Sequence, residues 1–201
     1  LLSQAGLMKD AGIWILKKSL QQVKKWREFI PNLCLNVNFS LKSLKAVASE
    51  IIKAYKESGL PAKSLFIEIT ETVGVEEVDN VSILIRALKR VGIGISIDDF
   101  GKGYSNLALL KQIKCDEIKI EKDFVTGIEK GSYGYLLINS VIGFSRNNGI
   151  QVCCEGVETE EQKKLVAEAE CDYIQGWYYS KALPLDECES FIATHAMRCY
   201  A

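Results

Sequence analysis

The sequence predicts an α/β fold built on a parallel sheet. Three observations predict it. Short apolar runs with period-two alternation recur along the chain, helical stretches separate them in regular order, and no repeat, low-complexity tract or linker breaks the pattern. Six strands are visible, which leaves an open doubly wound sheet or part of a barrel.

Met8 to Phe29 reads as an amphipathic helix. Ile13, Leu16, Leu20 and Val23 recur at helical spacing, and Lys17, Lys18, Lys24 and Lys25 take the wetter side. Trp14 and Trp26 read as packing anchors, and Pro31 with Asn32 stops the helix. Leu33 to Ser40 is the first strand, with Leu33, Leu35, Val37 and Phe39 on one face and Cys34, Asn36, Asn38 and Ser40 on the other. A helix from Leu44 to Ser58 ends at Gly59 and Pro61. Leu65 to Thr70 is the second strand, and a helix from Val78 to Val91 leads into the third. A short helix after Ser105 precedes Cys115 to Glu121, where Ile118 and Ile120 share one face and Glu117 and Lys119 the other. A helix from Tyr135 to Asn147 ends at Asn148 and Gly149. Gln151 to Glu155 is the fifth strand. Thr159 caps the next helix, with Gln162 three residues on as a capping box. Asp172 to Gln175 is the sixth strand, and a last helix covers Leu185 to Ala193.

The chain of 201 residues is long enough for one sizeable core, so one domain over 1–201 is expected. With 48% hydrophobic and 25% charged residues, the composition is that of a soluble globular protein. A net charge of −1 excludes the broad basic footprint of a nucleic-acid polymer partner. No apolar run is long enough to span a bilayer, and the N-terminus lacks a signal-peptide pattern, so neither membrane insertion nor secretion is expected. Seven cysteines show no CxxC spacing, and the single His195 cannot complete a Cys/His zinc set. Reduced, mostly packing cysteines in a cytoplasmic protein are expected.

The chemistry gathers around Ile93 to Ser105, IGISIDDFGKGYS. Ile93, Ile95 and Ile97 alternate with Gly94 and Ser96, and the adjacent Asp98 and Asp99 end the strand. Two neighbouring carboxylates repel and lose solvation unless exposed, protonated or bridged by a cation. Other strands carry the same signal. Asn38, Glu68, Asp98, Lys119, Glu155 and Gln175 each lie near a strand's C-terminal end, opposite the apolar face. In a (β/α) barrel, inward residues at those ends line the active site. Glu68, Asp98 and Asp99, with Asn38 as a neutral carbonyl donor, form a hard oxygen set suited to Mg2+ or Mn2+ rather than zinc. Several acids in one pocket favour two ions clamping an attack on a phosphoryl group. Lys119 is placed to neutralise phosphate or position water, Glu155 to assist proton removal or hold a metal, and Gln175 to orient a water or a polar substrate edge. The turn at Gly101 to Tyr104 reads as a mobile gate.

Taken together, VNFS around Asn38, EITE at Glu68 to Glu71, DDFGKGYS at Asp98 to Ser105, IKI around Lys119, CEGVET at Cys154 to Thr159 and QGWYYSKALP at Gln175 to Pro184 resemble the EAL-domain family, the cyclic-di-GMP phosphodiesterases of bacterial signalling. The helix around GLMKDAGIWIL, residues 6–16, is similar to the family's early helix. The resemblance implies a TIM-type (β/α)8 barrel that cuts cyclic di-GMP to linear pGpG with Mg2+ or Mn2+. It implies that Asn38, Glu68 and Asp98 bind metal and that Asp99 binds a second ion. Lys119 and Glu155 would serve the catalytic water, with Gln175 supporting the water or metal shell. Glu71 would brace the loop after Asp99, a gate of Gly101, Lys102, Gly103, Tyr104 and Ser105, and Glu158 would hold the local structure or the second ion's surroundings. A homodimer formed beside that loop is also implied.

The sequence departs from the family pattern in three places. The Glu-Ala-Leu signature is absent, and it belongs to the first strand, so the barrel is expected to be incomplete, with its first strands upstream of Leu1. Lys102 stands where a small hydroxyl residue is usual, which adds a cation beside the metal site. The segment between Asn38 and Glu68 is slightly short, and Asn36 is an alternative ligand to Asn38. These departures keep two other readings open: a catalytically impaired module that binds cyclic di-GMP as a receptor or regulatory domain, and an unrelated Mg2+-dependent barrel enzyme of enolase type.

Overall fold

The alternation of strand and helix holds along the chain. The computed structural model describes residues 8–70, 78–102, 110 and 113–199. Six strands form one sheet in sequence order, every pair parallel: β1 (Leu35–Asn38), β2 (Leu65–Thr70), β3 (Gly94–Phe100), β4 (Glu117–Ile120), β5 (Gln151–Cys154) and β6 (Tyr173–Ile174). The described helices are α1 (Met8–Trp26), α2 (Leu41–Ser58), α3 (Val78–Arg90), α4 (Tyr133–Asn147), α5 (Glu160–Glu168) and α6 (Leu185–Cys199). A doubly wound sheet reverses its strand order at a switch point. Here each strand neighbours the next in sequence, so the sheet winds one way, as a half-barrel of the TIM type.

The sheet separates an apolar outer face from a polar inner one. Leu65, Ile67, Ile69, Ile95, Ile97, Ile118 and Ile120 are fully buried against Leu16, Leu20, Leu44, Ile51, Leu88 and Ile138 of the helices. Each such side chain contributes ~1.5–3 kcal/mol on burial. The inner face is built for long side chains by small residues on β3. An added Cβ at Gly94 would lie 2.6 Å from the Phe66 ring, so only glycine lets that ring cross the interior.

Two aspartates finish the N-terminal ends of the strands. Asp116, just before β4, accepts the Ile95 N–H at 3.1 Å and pairs with Lys89 at 2.8 Å and Lys63 at 3.2 Å. Asp172, just before β6, accepts the Val152 N–H at 2.8 Å. Each takes up a strand-start donor on the neighbouring strand.

The element boundaries follow the caps. Ser40 accepts the Ser43 N–H and starts α2 three residues before the predicted Leu44, which ends β1 at Asn38. Ser132 does the same for α4 through Tyr135, and the Thr159–Gln162 capping box forms at α5. Helix α6 runs on to Cys199, past the expected Ala193. Trp14 is 63% exposed and anchors no packing, because it faces away from the stripe of Leu16, Leu20 and Val23. The short helix expected after Ser105 lies largely outside the described residues. No described helix is long and apolar enough to cross a membrane.

Candidate active site

The period-two pattern of the strands delivers the site. Because successive side chains alternate faces, Asn36 and Asn38, Phe66 and Glu68, Ser96 and Asp98, Glu117 and Lys119, and Gln151 and Cys153 all turn inward. The parallel register sets Asn38 beside Glu68, Glu68 beside Ser96, Ser96 beside Glu117, and Lys119 beside Cys153.

Strand β3 does not end at the two aspartates. It continues to Phe100 through a bulge, with Ile97 opposite Ile118 but Phe100 opposite Ile120. One extra residue fits into that interval, and Asp99 takes a left-handed backbone with φ +56°. The Asp99 N–H donates to Asp98 Oδ1 at 2.9 Å. The bulge thereby brings both carboxyls to the inner rim, where a regular strand would send one to each face. Gly101 follows at φ +98°, and an added Cβ there would lie 2.5 Å from the Phe124 ring.

Lys119 is the hub of the inner face. Its ammonium lies 2.8 Å from Glu68 Oε1 and 2.6 Å from Glu155 Oε1, with both Lys119 and Glu68 buried. The Asn36 amide donates to Glu68 Oε1 at 3.0 Å and to Glu117 Oε1 at 3.2 Å, and the Ser96 hydroxyl donates to Glu117 Oε1 at 2.7 Å. Burial alone would pull the ammonium's pKa down, but Glu155 and Glu68 outweigh it and hold Lys119 above the usual lysine range. Burial pushes the carboxyls of Asp98, Glu117 and Glu155 up, and Lys119 offsets only part of that. Among the described residues, the acids on this face outnumber the cations that meet them.

A second acid pair sits at the rim. Asp99 is hydrogen-bonded to the Glu121 carboxyl, which holds Asp99 below the usual carboxylate range and pushes Glu121 above it. The Lys102 ammonium lies 3.6 Å from Asp99 Oδ1 and 3.6 Å from Glu121 Oε2. Two cavities meet this chemistry. One of about 610 Å3 lies inside the sheet, lined by Asn36, Phe66, Glu117, Lys119, Cys153 and Gln175 among others. The other, about 710 Å3, opens at the strand ends among Asp99, Lys102, Glu121, Glu155, Glu158, Gln175 and Trp177.

The predicted residues thus fall in two groups. Glu68, Lys119 and Glu155 are in direct contact, with Asp98 close enough to feel Lys119 and Glu68. Asp99, Lys102, Glu158 and Gln175 line the mouth, and the Glu158 N–H donates to Gln162 Oε1 at 2.7 Å, within the capping box of α5. Asn38 is exposed at the end of β1, level with Glu68. Glu71, Gly103, Tyr104 and Ser105 lie outside the described residues. Three residues of the site carried no predicted role: Glu117 and Cys153 inside the sheet and Glu121 at its rim. The alternation that marked Lys119 also marks Glu117 and Glu121, two positions either side of it.

The donor set of Glu68, Asp98, Asp99 and the Asn38 amide is the hard oxygen set that Mg2+ or Mn2+ takes, and the surplus of inward carboxyls fits added cations. Among the described residues no three acidic, histidine or cysteine side chains are already gathered around one point. Ammonium groups stand between the carboxylates instead: Lys119 between Glu68 and Glu155, and Lys102 between Asp99 and Glu121.

The family described as EAL domain matches residues 1–182. Among curated proteins, the chain is 31% identical over 193 residues to the signaling protein YkoW of Bacillus subtilis, covering 94% of this chain and 24% of that protein. It is 26% identical over 196 residues to the bifunctional diguanylate cyclase/cyclic di-GMP phosphodiesterase MucR of Pseudomonas aeruginosa, covering 96% and 29%. The chain spans about a quarter of the length of these relatives. Among solved structures, it superposes with a TM-score of 0.83 and 32% identity on the EAL domain of Mycobacterium smegmatis DcpA, covering 91% of this chain and 84% of that one. On the PaMucR phosphodiesterase in complex with c-di-GMP the values are 0.82 and 27%, with 94% and 83% covered.

Proposed function

Because this chain belongs to the EAL domain family, which matches it over residues 1–182, we propose that it hydrolyses cyclic di-GMP to linear pGpG with Mg2+ or Mn2+. The observation that carries the reading is the buried Lys119 ammonium held between Glu68 and Glu155, beside a bulge that turns Asp98 and Asp99 to the same rim. The similarity to MucR, named as a cyclic di-GMP phosphodiesterase and solved in complex with c-di-GMP, supports the substrate.

In this reading Asn38, Glu68, Asp98 and Asp99 hold the ions. When bound, two divalent ions supply Lewis-acid polarisation of the phosphoryl group and a more acidic water. Glu155 takes the proton from the attacking water, and Lys119 offsets part of the burial that pushes the Glu155 carboxyl up. The water oxygen bonds to phosphorus, one ribose P–O bond breaks, and the proton returns to the departing oxygen. Gln175, on the wall of both cavities, orients the substrate or the water. The same reading places the chain in the cytoplasm and makes it a homodimer, which sedimentation in solution checks.

A second reading, a receptor that binds cyclic di-GMP without cutting it, is favoured by one observation: Lys102 occupies the space beside Asp99 and Glu121. Incubating the chain with cyclic di-GMP and Mn2+, and following pGpG by chromatography, separates the two. Release of pGpG that disappears in Glu155→Gln supports the hydrolase. Binding by calorimetry with no pGpG supports the receptor, and neither binding nor turnover removes both.

A further inference from the structure

Cys154 and Cys171 stand in sulfur–sulfur contact. Their Sγ atoms are 3.4 Å apart, which joins the end of β5 to the turn that enters β6. Cys154 is fully buried on the outer face of β5, whereas Cys171 is half-buried, its Sγ 3.1 Å from the Val152 carbonyl and 3.0 Å from that of Tyr173. Neighbouring Cys153 points to the opposite face of the strand, toward Lys119. The two sulfurs therefore need to close only from contact to a bonded separation of about 2.05 Å. In this pair one residue is partly exposed while the other is held beside it in the core, the arrangement in which a first oxidation product is trapped as a disulfide.

We propose that Cys154 and Cys171 form a reversible, peroxide-driven disulfide. The Cys171 sulfur attacks a peroxide oxygen, the O–O bond breaks, and a sulfenic acid and water result. The Cys154 thiol then attacks the Cys171 sulfur, forming the S–S bond and releasing a second water. In sum, two thiols and one hydrogen peroxide give one disulfide and two waters, and a small thiol reductant reverses the step. The bond straps together the two strands whose ends carry Glu155 and Gln175. It does not depend on the phosphodiesterase reading, and its test needs no substrate.

The folded chain is exposed to hydrogen peroxide at a level that oxidises free glutathione in a parallel tube. Remaining thiols are then blocked and the protein is digested with trypsin. The expected product is the peptide Asn147–Lys163 joined to Leu165–Lys181, two hydrogens lighter than their sum, lost on treatment with dithiothreitol, with fragment ions placing the bond at Cys154. Cys153→Ser keeps the link. Cys154→Ser abolishes it and leaves a sulfenic acid at Cys171 that dimedone captures. Recovery of both wild-type peptides as blocked thiols overturns the proposal, as does a bond that maps to Cys153 or to Cys188.

Discussion

Lys119 and Glu68 form a buried ion pair of 2.8 Å that reaches from β4 to β2 across the intervening strand β3. The crossing is possible because β3 presents the small Ser96 inward level with Glu68, leaving the interior to the longer side chains on either side. Removing one partner of such a pair strands the other charge out of water. Lys119→Gln is therefore expected to cost ~3–5 kcal/mol of stability. It should also lower turnover of cyclic di-GMP by about 10²–10⁴-fold, since Glu155 loses the cation that contacts it and offsets part of its burial. Chemical denaturation and the pGpG assay read the two effects separately. A variant of unchanged stability would mean that the inner carboxyls take up protons rather than depend on Lys119.

Lys102 stands in the way of a cation at the rim. Its ammonium is 3.6 Å from both Asp99 and Glu121, but its side chain is 57% exposed, so each contact is worth little. Lys102→Ser should tighten Mn2+ binding about two- to fivefold, the scale of one exposed ion pair. Titration calorimetry without nucleotide reads this directly. Unchanged or weaker binding would show that Lys102 does not compete for Asp99.

Much of this site was legible because its residues obey one rule. Glu68, Asp98, Lys119 and Glu155 are polar at positions where period two demands the face away from Ile67, Ile97, Ile118 and Cys154, and that face turned out to be the interior. The strand-end rule missed Glu117 because it lies at the start of β4, where no active-site residue is expected of a barrel. The bulge was invisible for a different reason. DDF reads as a strand end, and only the pairing of Phe100 with Ile120 shows the strand continuing with Asp99 at positive φ. Trp14 was misread because a large aromatic beside an apolar stripe looks like core, although its position in α1 leaves it 63% exposed. The helix starts at Ser40 and Ser132 depended on hydroxyl caps that preceded the periodic stretch by a few residues.

Glu117 is a costly acid at neutral pH. Burial pushes its carboxyl up, and the Ser96 hydroxyl and Asn36 amide that donate to Oε1 offset only part of the cost. A group held above its unfolded range contributes stability below ~4.3 and loses it as pH rises through the folded pKa. Glu117→Gln keeps an oxygen for both donors and removes the charge. It should stabilise the fold by on the order of 1 kcal/mol at pH 8, with the gain vanishing near pH 4. Thermal unfolding across that range checks the slope. A gain that is flat with pH would assign the effect to packing instead.

The adjacent acid carries the opposite sign. Burial pushes Asp116 up as well, but the Lys89 ammonium, the Ile95 N–H and Lys63 together outweigh it and hold the carboxyl below its usual range. Its contribution is therefore present above ~3.9 and is lost as pH falls through the folded pKa. Asp116→Asn retains an acceptor for Ile95 but loses both ammonium partners, and Lys63 is exposed enough for its share to be small. The expected cost is ~1–2 kcal/mol at pH 7, shrinking toward zero as the wild-type carboxyl protonates. Asp116 sits at the N-terminal end of the strands, opposite the mouth where Asp99, Glu155 and Gln175 meet, so turnover per folded molecule should stay at the wild-type level. If Asp116→Asn and Glu117→Gln moved stability in the same direction at pH 7, the division of β4 into a latching end and a strained interior would be wrong.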